Sequence, residues 1–273
     1  MAGLKIGVFD SGMGGLTVLK ALAHTLPDAS FIYLGDTARL PYGTKSASTV
    51  EHYALQAARA LTRHQVDLLV IACNTASAVA VGPLTAALAP LPVVGVVEPG
   101  AQAGVTATKN RHIAVIATES TVRGGAYERA IRAHGSQIRV TQAACPLFVA
   151  LAEEGWTSGT VATAAAQRYL DPIFDVPAPE RPDTLVLGCT HFPALREVIR
   201  GVIGPDVAIV DSAETTAKRV RTLLPETQGT PTAEAPRFLV TDSPERFARV
   251  GSIFLDRTIA PKTVELVDLS FAS

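Results

Sequence analysis

The sequence predicts an α/β fold of two pseudo-symmetric parallel-sheet domains with an active site in the cleft between them. Three observations carry that expectation. Short apolar runs alternate with amphipathic or Ala-rich stretches along the chain, which implies parallel strands covered by helices on both faces. The first half of this pattern is echoed in the second. Finally, two apolar runs end in a cysteine followed by polar residues: LLVIACNTAS with Cys73 and TLVLGCTHFP with Cys189. In open α/β sheets, ligands bind at the carboxyl ends of the strands.

Taken in order, strands are expected over 4–9, 30–34, 67–72, 93–97, 112–117, 137–142, 183–188 and 207–211. Each is a short apolar run of the length suited to a strand buried on both faces. Between them, stretches such as LTVLKALAHTL and STVEHYALQAARALTRH repeat their apolar residues at helical spacing. The Pro- and Thr-rich segment 225–236 predicts a surface loop, followed by a last strand, RFLVT, and a helix around PERFARVGSIFL.

The internal echo is specific. IGVFDSGMGG (6–15) pairs with IAVIATESTVRGG (113–125), LLVIACNT (68–75) with TLVLGCTH (184–191), and VVEPGAQAGV (96–105) with IVDSAETTAKRV (209–220). It predicts a first domain of 1–98 and 207–273 and a second of 99–206.

A chain of 273 residues, 48% hydrophobic and 18% charged, is long and apolar enough for two cores. With 24 Lys and Arg against 25 Asp and Glu, the net charge is -1 and no basic stripe stands out. Aromatic residues are only 5%, so neither charge nor stacking surface points to nucleic acid. No apolar run approaches the ~20 residues that span a bilayer, and no secretory signal opens the sequence. Three cysteines make no disulfide framework, so a cytoplasmic setting is expected.

Cys145, in AACPLF, is expected to be core, as lone cysteines usually are. Cys73 and Cys189 differ because they are paired, and each is expected to precede a helix, where a thiolate is favoured. Racemisation supplies a reason for two. One thiolate removes a proton from one face of a carbon while one thiol returns a proton to the other. A cysteine hydrolase using Cys189 and His191 has no use for Cys73, and a two-lobed binding module needs neither. Metal binding by Cys73, Cys189 and His191 lacks the close ligand pairs usual for structural zinc.

Asp10, Glu153 and His191 are candidates to tune the thiols. Asp10 equally suits a helix N-cap, Glu153 an exposed pair with Glu154, and His191 a carbonyl partner. DSGMGG offers backbone N–H groups to an anion but matches neither the P-loop nor the dinucleotide fingerprint. Ser11, Asn74, Thr75, Thr118, Thr121 and Thr190, with the Pro-Tyr-Gly turn in GDTARLPYG, outline a small neutral pocket suited to a zwitterion.

The ordered motifs IGVFDSGMGGL, GDTARLPYG, VIACNTASA, GVVEPG, ACPLFVALAEEG, LGCTHFPAL, VDSAETTA and FLVTDSPERF resemble the glutamate racemase family of the aspartate/glutamate racemase superfamily. The resemblance spans nearly the whole chain. It implies cofactor-independent interconversion of L- and D-glutamate, with no metal, to supply D-glutamate for peptidoglycan. It also implies Cys73 and Cys189 as the acid/base pair, Asp10 assisting the first, and Glu153 and His191 assisting the second. By the same resemblance, Asp10, Ser11, Tyr42, Gly43, Asn74, Thr75, Thr118, Thr121, Thr190 and His191 bind substrate. A homodimer is common among such enzymes. Aspartate racemases usually carry Glu where His191 stands, which favours glutamate, although another superfamily activity or a cysteine amidohydrolase is the alternative. Met13 and Gly124 depart from the usual family residues, and Gly124 is expected to loosen a helix beginning beyond Thr121. The family's N-terminal extension linked to activation by a cell-wall precursor is not seen, so that activation is not expected.

Overall fold

The computed structural model describes residues 4–224 and 235–269. Strands and helices alternate as β1 Lys5–Asp10, α1 Leu16–Thr25, β2 Ser30–Gly35, α2 Ala47–Thr62, β3 Leu68–Ile71, α3 Asn74–Ala87, β4 Val93–Gly95 and α4 Val97–Ala107. The second half continues with β5 His112–Ala117, α5 Glu119–Arg123, α6 Ala126–His134, β6 Arg139–Ala144, α7 Pro146–Glu153, α8 Gly159–Phe174, β7 Thr184–Gly188, α9 Arg196–Ile203, β8 Ala208–Asp211 and α10 Ser212–Leu223. Last come β9 Arg237–Val240, α11 Pro244–Leu255 and β10 Val264–Leu266.

Two sheets form, ordered β10-β9-β2-β1-β3-β4 and β6-β5-β7-β8. All pairings are parallel. The internal echo is therefore topological. With β5 standing for β1, the second sheet repeats the order of the first four strands, and β7 occupies the place of β3. Local chemistry explains the elements. The central strands β1, β3, β5 and β7 are almost wholly buried, as strands covered on both faces must be. In α2, Ser46 Oγ accepts the Thr49 N–H as an N-cap, and Val50, Ala54, Ala57, Ala58 and Leu61 bury one face.

The ends of the two halves are exchanged. Helix α4 follows the first sheet but buries Val97 and Ala101 with Ile113, Tyr127 and Val186 of the second. Helix α10 follows the second sheet but buries Ala213, Ala217 and Val220 with Val18, Leu19 and Leu22 of the first. The two helices also pack on one another.

The expected return to the first domain at 207 needs correction, because β8 pairs with β7 in the second sheet. We propose lobes of 4–96 with 212–269 and of 97–211. Strand 93–97 stops at Gly95, since Val97 already opens α4. Edge strand β6 lies two residues later than expected, and β10, three residues long, was not foreseen. Most of the loop expected at 225–236 lies outside the described residues. Thr121 lies within α5, and the chain breaks at Gly124–Gly125, where Gly125 takes φ +62°, so Gly124 ends a helix rather than loosening one. Among the described residues, no helix is long and apolar enough to cross a membrane.

Candidate active site

Cys73 and Cys189 follow β3 and β7, the equivalent strands of the two sheets. Cys73 is the N-cap of α3, and its sulfur accepts the Ala76 N–H at 3.4 Å. Its thiol also faces Ser11 Oγ at 3.6 Å. Each cysteine is only 5% exposed, and a charge on Cys189 disfavours ionisation of Cys73, so the two sulfurs are near enough to influence one another. Burial, then the charge of Asp10, pushes the Cys73 thiol up to about 12 despite the Ala76 and Ser11 hydrogen bonds.

The surroundings of Cys189 are of opposite character. Its sulfur lies 3.8 Å from His191 Nδ1, and His191 Nε2 lies 3.1 Å from Glu153 Oε1. Glu153 Oε2 in turn accepts from Arg246 at 2.7 Å. Burial opposes an imidazolium, but the hydrogen bonds and negative charges of Cys189 and Glu153 prevail and raise His191 to about 10. Burial would raise Glu153, yet His191 and Arg246 hold its carboxyl below the ordinary value. Glu153 is thus no exposed partner of Glu154; its side chain is 13% exposed and doubly bonded.

Asp10, at the end of β1, is fully buried. It is not a helix cap, since α1 begins at Leu16 with Gly15 in the cap position. Its Oδ2 accepts the Gly12 N–H at 2.9 Å, and Oδ1 has no partner. Burial raises its pKa against the pull of His191 and the backbone N–H groups of Gly12, Gly15 and Ser11. The glycines of DSGMGG serve close approach. A Cβ on Gly14 would lie 2.5 Å from both His191 Nδ1 and Thr190 Oγ1. One on Gly43 would lie 2.8 Å from Thr118 Cβ, so the lobes meet at two glycines.

Thr75 of the first lobe meets the hydroxyls of Thr118 and Thr121 of the second at 2.9 and 3.3 Å, and those two lie 3.0 Å apart. Asn74 opens α3, almost fully buried, and its Nδ2 has no protein partner. Two buried thiols, one beside a cationic imidazole, with a free amide donor, can move protons at a carbon acid.

The comparisons agree. Residues 11–220 match the family described as Asp/Glu/Hydantoin racemase. The chain belongs to that family. It is an isomerase, grouped with the family's glutamate racemases. It is 49% identical over 253 residues to a glutamate racemase of Geobacter metallireducens, covering 92% of each chain. It is 46% identical to one of Koribacter versatilis, with 97% of each covered. A crystal structure of the Francisella tularensis glutamate racemase in complex with D-glutamate superposes with a TM-score of 0.89 at 37% identity, covering 99% of this chain and 100% of that one.

In this racemase the structure gathers Asp10, Ser11, Cys73, Asn74, Thr75, Thr118, Thr121, Glu153, Cys189, Thr190 and His191 around one junction between the lobes. Tyr42 is 1% exposed and donates its hydroxyl to Asp36, so that hydroxyl is already engaged. Cys145 is fully buried in the second lobe's core. Sequence reasoning assigned no role to Arg246 or Tyr127, and none to Gly14 as a contact with His191 and Thr190. The first two act across the lobes from remote positions, and no local pattern marks them. Gly14 carried a signal as part of a glycine cluster, but it was read as an anion cradle.

Proposed function

We propose that the chain interconverts L- and D-glutamate without a cofactor, using Cys73 and Cys189 as acid and base on opposite faces of the α-carbon. The observation that carries this reading is the unequal setting of two equivalent cysteines. Cys73 is held as a thiol, while Cys189 sits beside an imidazolium. One thiol and one thiolate are what a turnover needs at its start. The enantiomer whose hydrogen faces Cys189 gives up that proton, and Cys73 returns one from the other side. The thiol and thiolate are then exchanged, ready for the reverse reaction.

Proton loss leaves a planar carbanionic species with charge spread into the α-carboxylate. The unpartnered Asn74 Nδ2 and the backbone N–H groups after each cysteine are the donors suited to it. Enantiomers have equal free energy in achiral water, so the equilibrium constant is one. The relatives' names and the D-glutamate in the Francisella structure support glutamate over aspartate as the substrate. Supplying D-glutamate for peptidoglycan, a cytoplasmic location and a homodimer complete the reading.

Incubation with each enantiomer of glutamate and aspartate in heavy water tests it. Glutamate is expected to racemise with deuterium at the product α-carbon, and Cys73→Ala and Cys189→Ala each to abolish turnover. Product without deuterium, or near-full turnover by either variant, contradicts the scheme.

A further inference from the structure

An asparagine amide has a donor end and an acceptor end of nearly the same shape. Which end meets the substrate decides whether Asn74 attracts or repels a carboxylate, so something must fix it. The structure supplies a clamp from the opposite lobe. Tyr127, on α6, donates its hydroxyl hydrogen to Asn74 Oδ1 at 2.6 Å. Ser212, the first residue of α10, stands beside the same phenol: a Cβ on Gly100 would lie 3.2 Å from the Tyr127 hydroxyl and 3.6 Å from Ser212 Cβ. A hydroxyl of Ser212 donating to the phenol oxygen favours the arrangement in which Tyr127 turns its own hydrogen to the amide. Donating in this way, it favours the oxygen end of the amide over the NH2 end.

The ring itself is held in a slot cleared by two glycines. A Cβ on Gly188 would lie 2.9 Å from Tyr127 Cε2, and one on Gly100 would lie 3.2 Å from the hydroxyl. Gly188 immediately precedes Cys189, while Asn74 immediately follows Cys73. Tyr127 thus touches both cysteine loops at once. It is fully buried, Ser212 is 2% exposed and Asn74 3%, so no solvent loosens the relay. The opposite end of the amide, Nδ2, is buried with no protein partner, and buried donors are rarely left unpaired without a functional reason. Burial raises the Tyr127 phenol well above its ordinary value, so the donor hydrogen is retained throughout the working pH range.

We infer that Tyr127 is a positioning residue: relayed from Ser212, it locks the Asn74 amide with its oxygen inward and its NH2 presented to the substrate carboxylate. This rests on the racemase reading above and adds to it a source of orientation from the second lobe. The donor is aligned only when α6 and α3 are docked, which ties substrate recognition to the assembled cleft.

Tyr127→Phe keeps the ring in its slot and removes only the hydroxyl. It is expected to lower kcat/KM for both enantiomers about tenfold, mainly through KM, as loss of one aligned hydrogen bond to a charged group does. In an Asn74→Ala background the same change is expected to have less than about a twofold effect, because no amide remains to orient. Ser212→Ala, which frees the phenol oxygen to accept, gives a milder loss of about threefold that also vanishes with Asn74→Ala. Should Tyr127→Phe fold poorly, the Ser212→Ala pair decides. Equal losses in both backgrounds, or kcat/KM within twofold of wild type, overturn the inference. The same four proteins titrated with D-glutamate by calorimetry give the comparison as Kd without turnover. A wild type that binds but does not racemise would sink the function proposed above and still let Kd decide this inference.

Discussion

Arg246 reaches Glu153 Oε2 at 2.7 Å from a position 93 residues away in sequence, joining α11 of the first lobe to the last residue of α7 in the second. The carboxylate so held presents its other oxygen to His191. This ion pair is therefore one of the links between the lobes, and it completes the line from Arg246 to Cys189.

Arg246→Ala is expected to lower stability at neutral pH by about 1 kcal/mol, because the guanidinium is 39% exposed and solvent screens the pair. The sign of the pH dependence follows from Glu153, whose carboxyl is held below its ordinary value in the folded protein. Such a group stabilises the fold above its unfolded pKa, and that contribution disappears as pH falls through the folded value. Thermal melts should thus show the gap between wild type and variant closing on acidification. A gap that widens toward low pH would contradict this.

Glu153→Gln keeps a hydrogen-bonding group beside His191 and removes the negative charge. His191, now held charged up to about 10, should lose its proton at lower pH. The high-pH limb of the racemisation profile should move down by about one unit or more, with a smaller change at neutral pH. An unmoved limb would show that another group sets it.

Asp10→Asn tests the other thiol. Burial is the main cause of the high Cys73 pKa and is untouched by the substitution, but the Asp10 charge is the second. In a Cys145→Ala/Cys189→Ala background, ultraviolet titration of the remaining thiol should give a lower midpoint with Asp10→Asn than with Asp10 intact. A midpoint that stays or rises would mean Asp10 does not carry the charge assigned to it.

Gly14→Ala and Gly201→Ala form a contrasting pair. The first places a methyl 2.5 Å from two buried side chains of the other lobe, whereas the second meets nothing within 4 Å. Overpacking at Gly14 should cost about 1–3 kcal/mol and most of the turnover, since His191 must shift. Gly201→Ala, inside α9, should stabilise by about 0.5 kcal/mol and leave kinetics unchanged. Urea melts and initial rates on both proteins check the pair.

Much of this was legible from residues. The β3 and β7 runs matched almost residue for residue, and the sheets repeat the same strand order. Hydrophobic runs and strand-end polar residues are local signals, so the cysteines and their neighbours were found. What escaped is what arises only when distant segments meet. Arg246, Tyr127 and the Gly14 contact each act across the junction, and nothing near them in the chain records their partner. The crossing point slipped for the same reason. β8 is apolar enough for either sheet, and only its pairing with β7 assigns it. Tyr42 shows the converse, a residue expected at the site from sequence whose hydroxyl is already engaged by Asp36.

The traded helices α4 and α10 carry a consequence for how such a molecule arises. A gene encoding just one half would yield a sheet with a bare flank and a surplus helix. Its product would find shelter by lending that helix to a twin and borrowing the twin's. A duplicated and fused ancestor of this kind would have inherited two thiols around one substrate from the start, each contributed by a different copy.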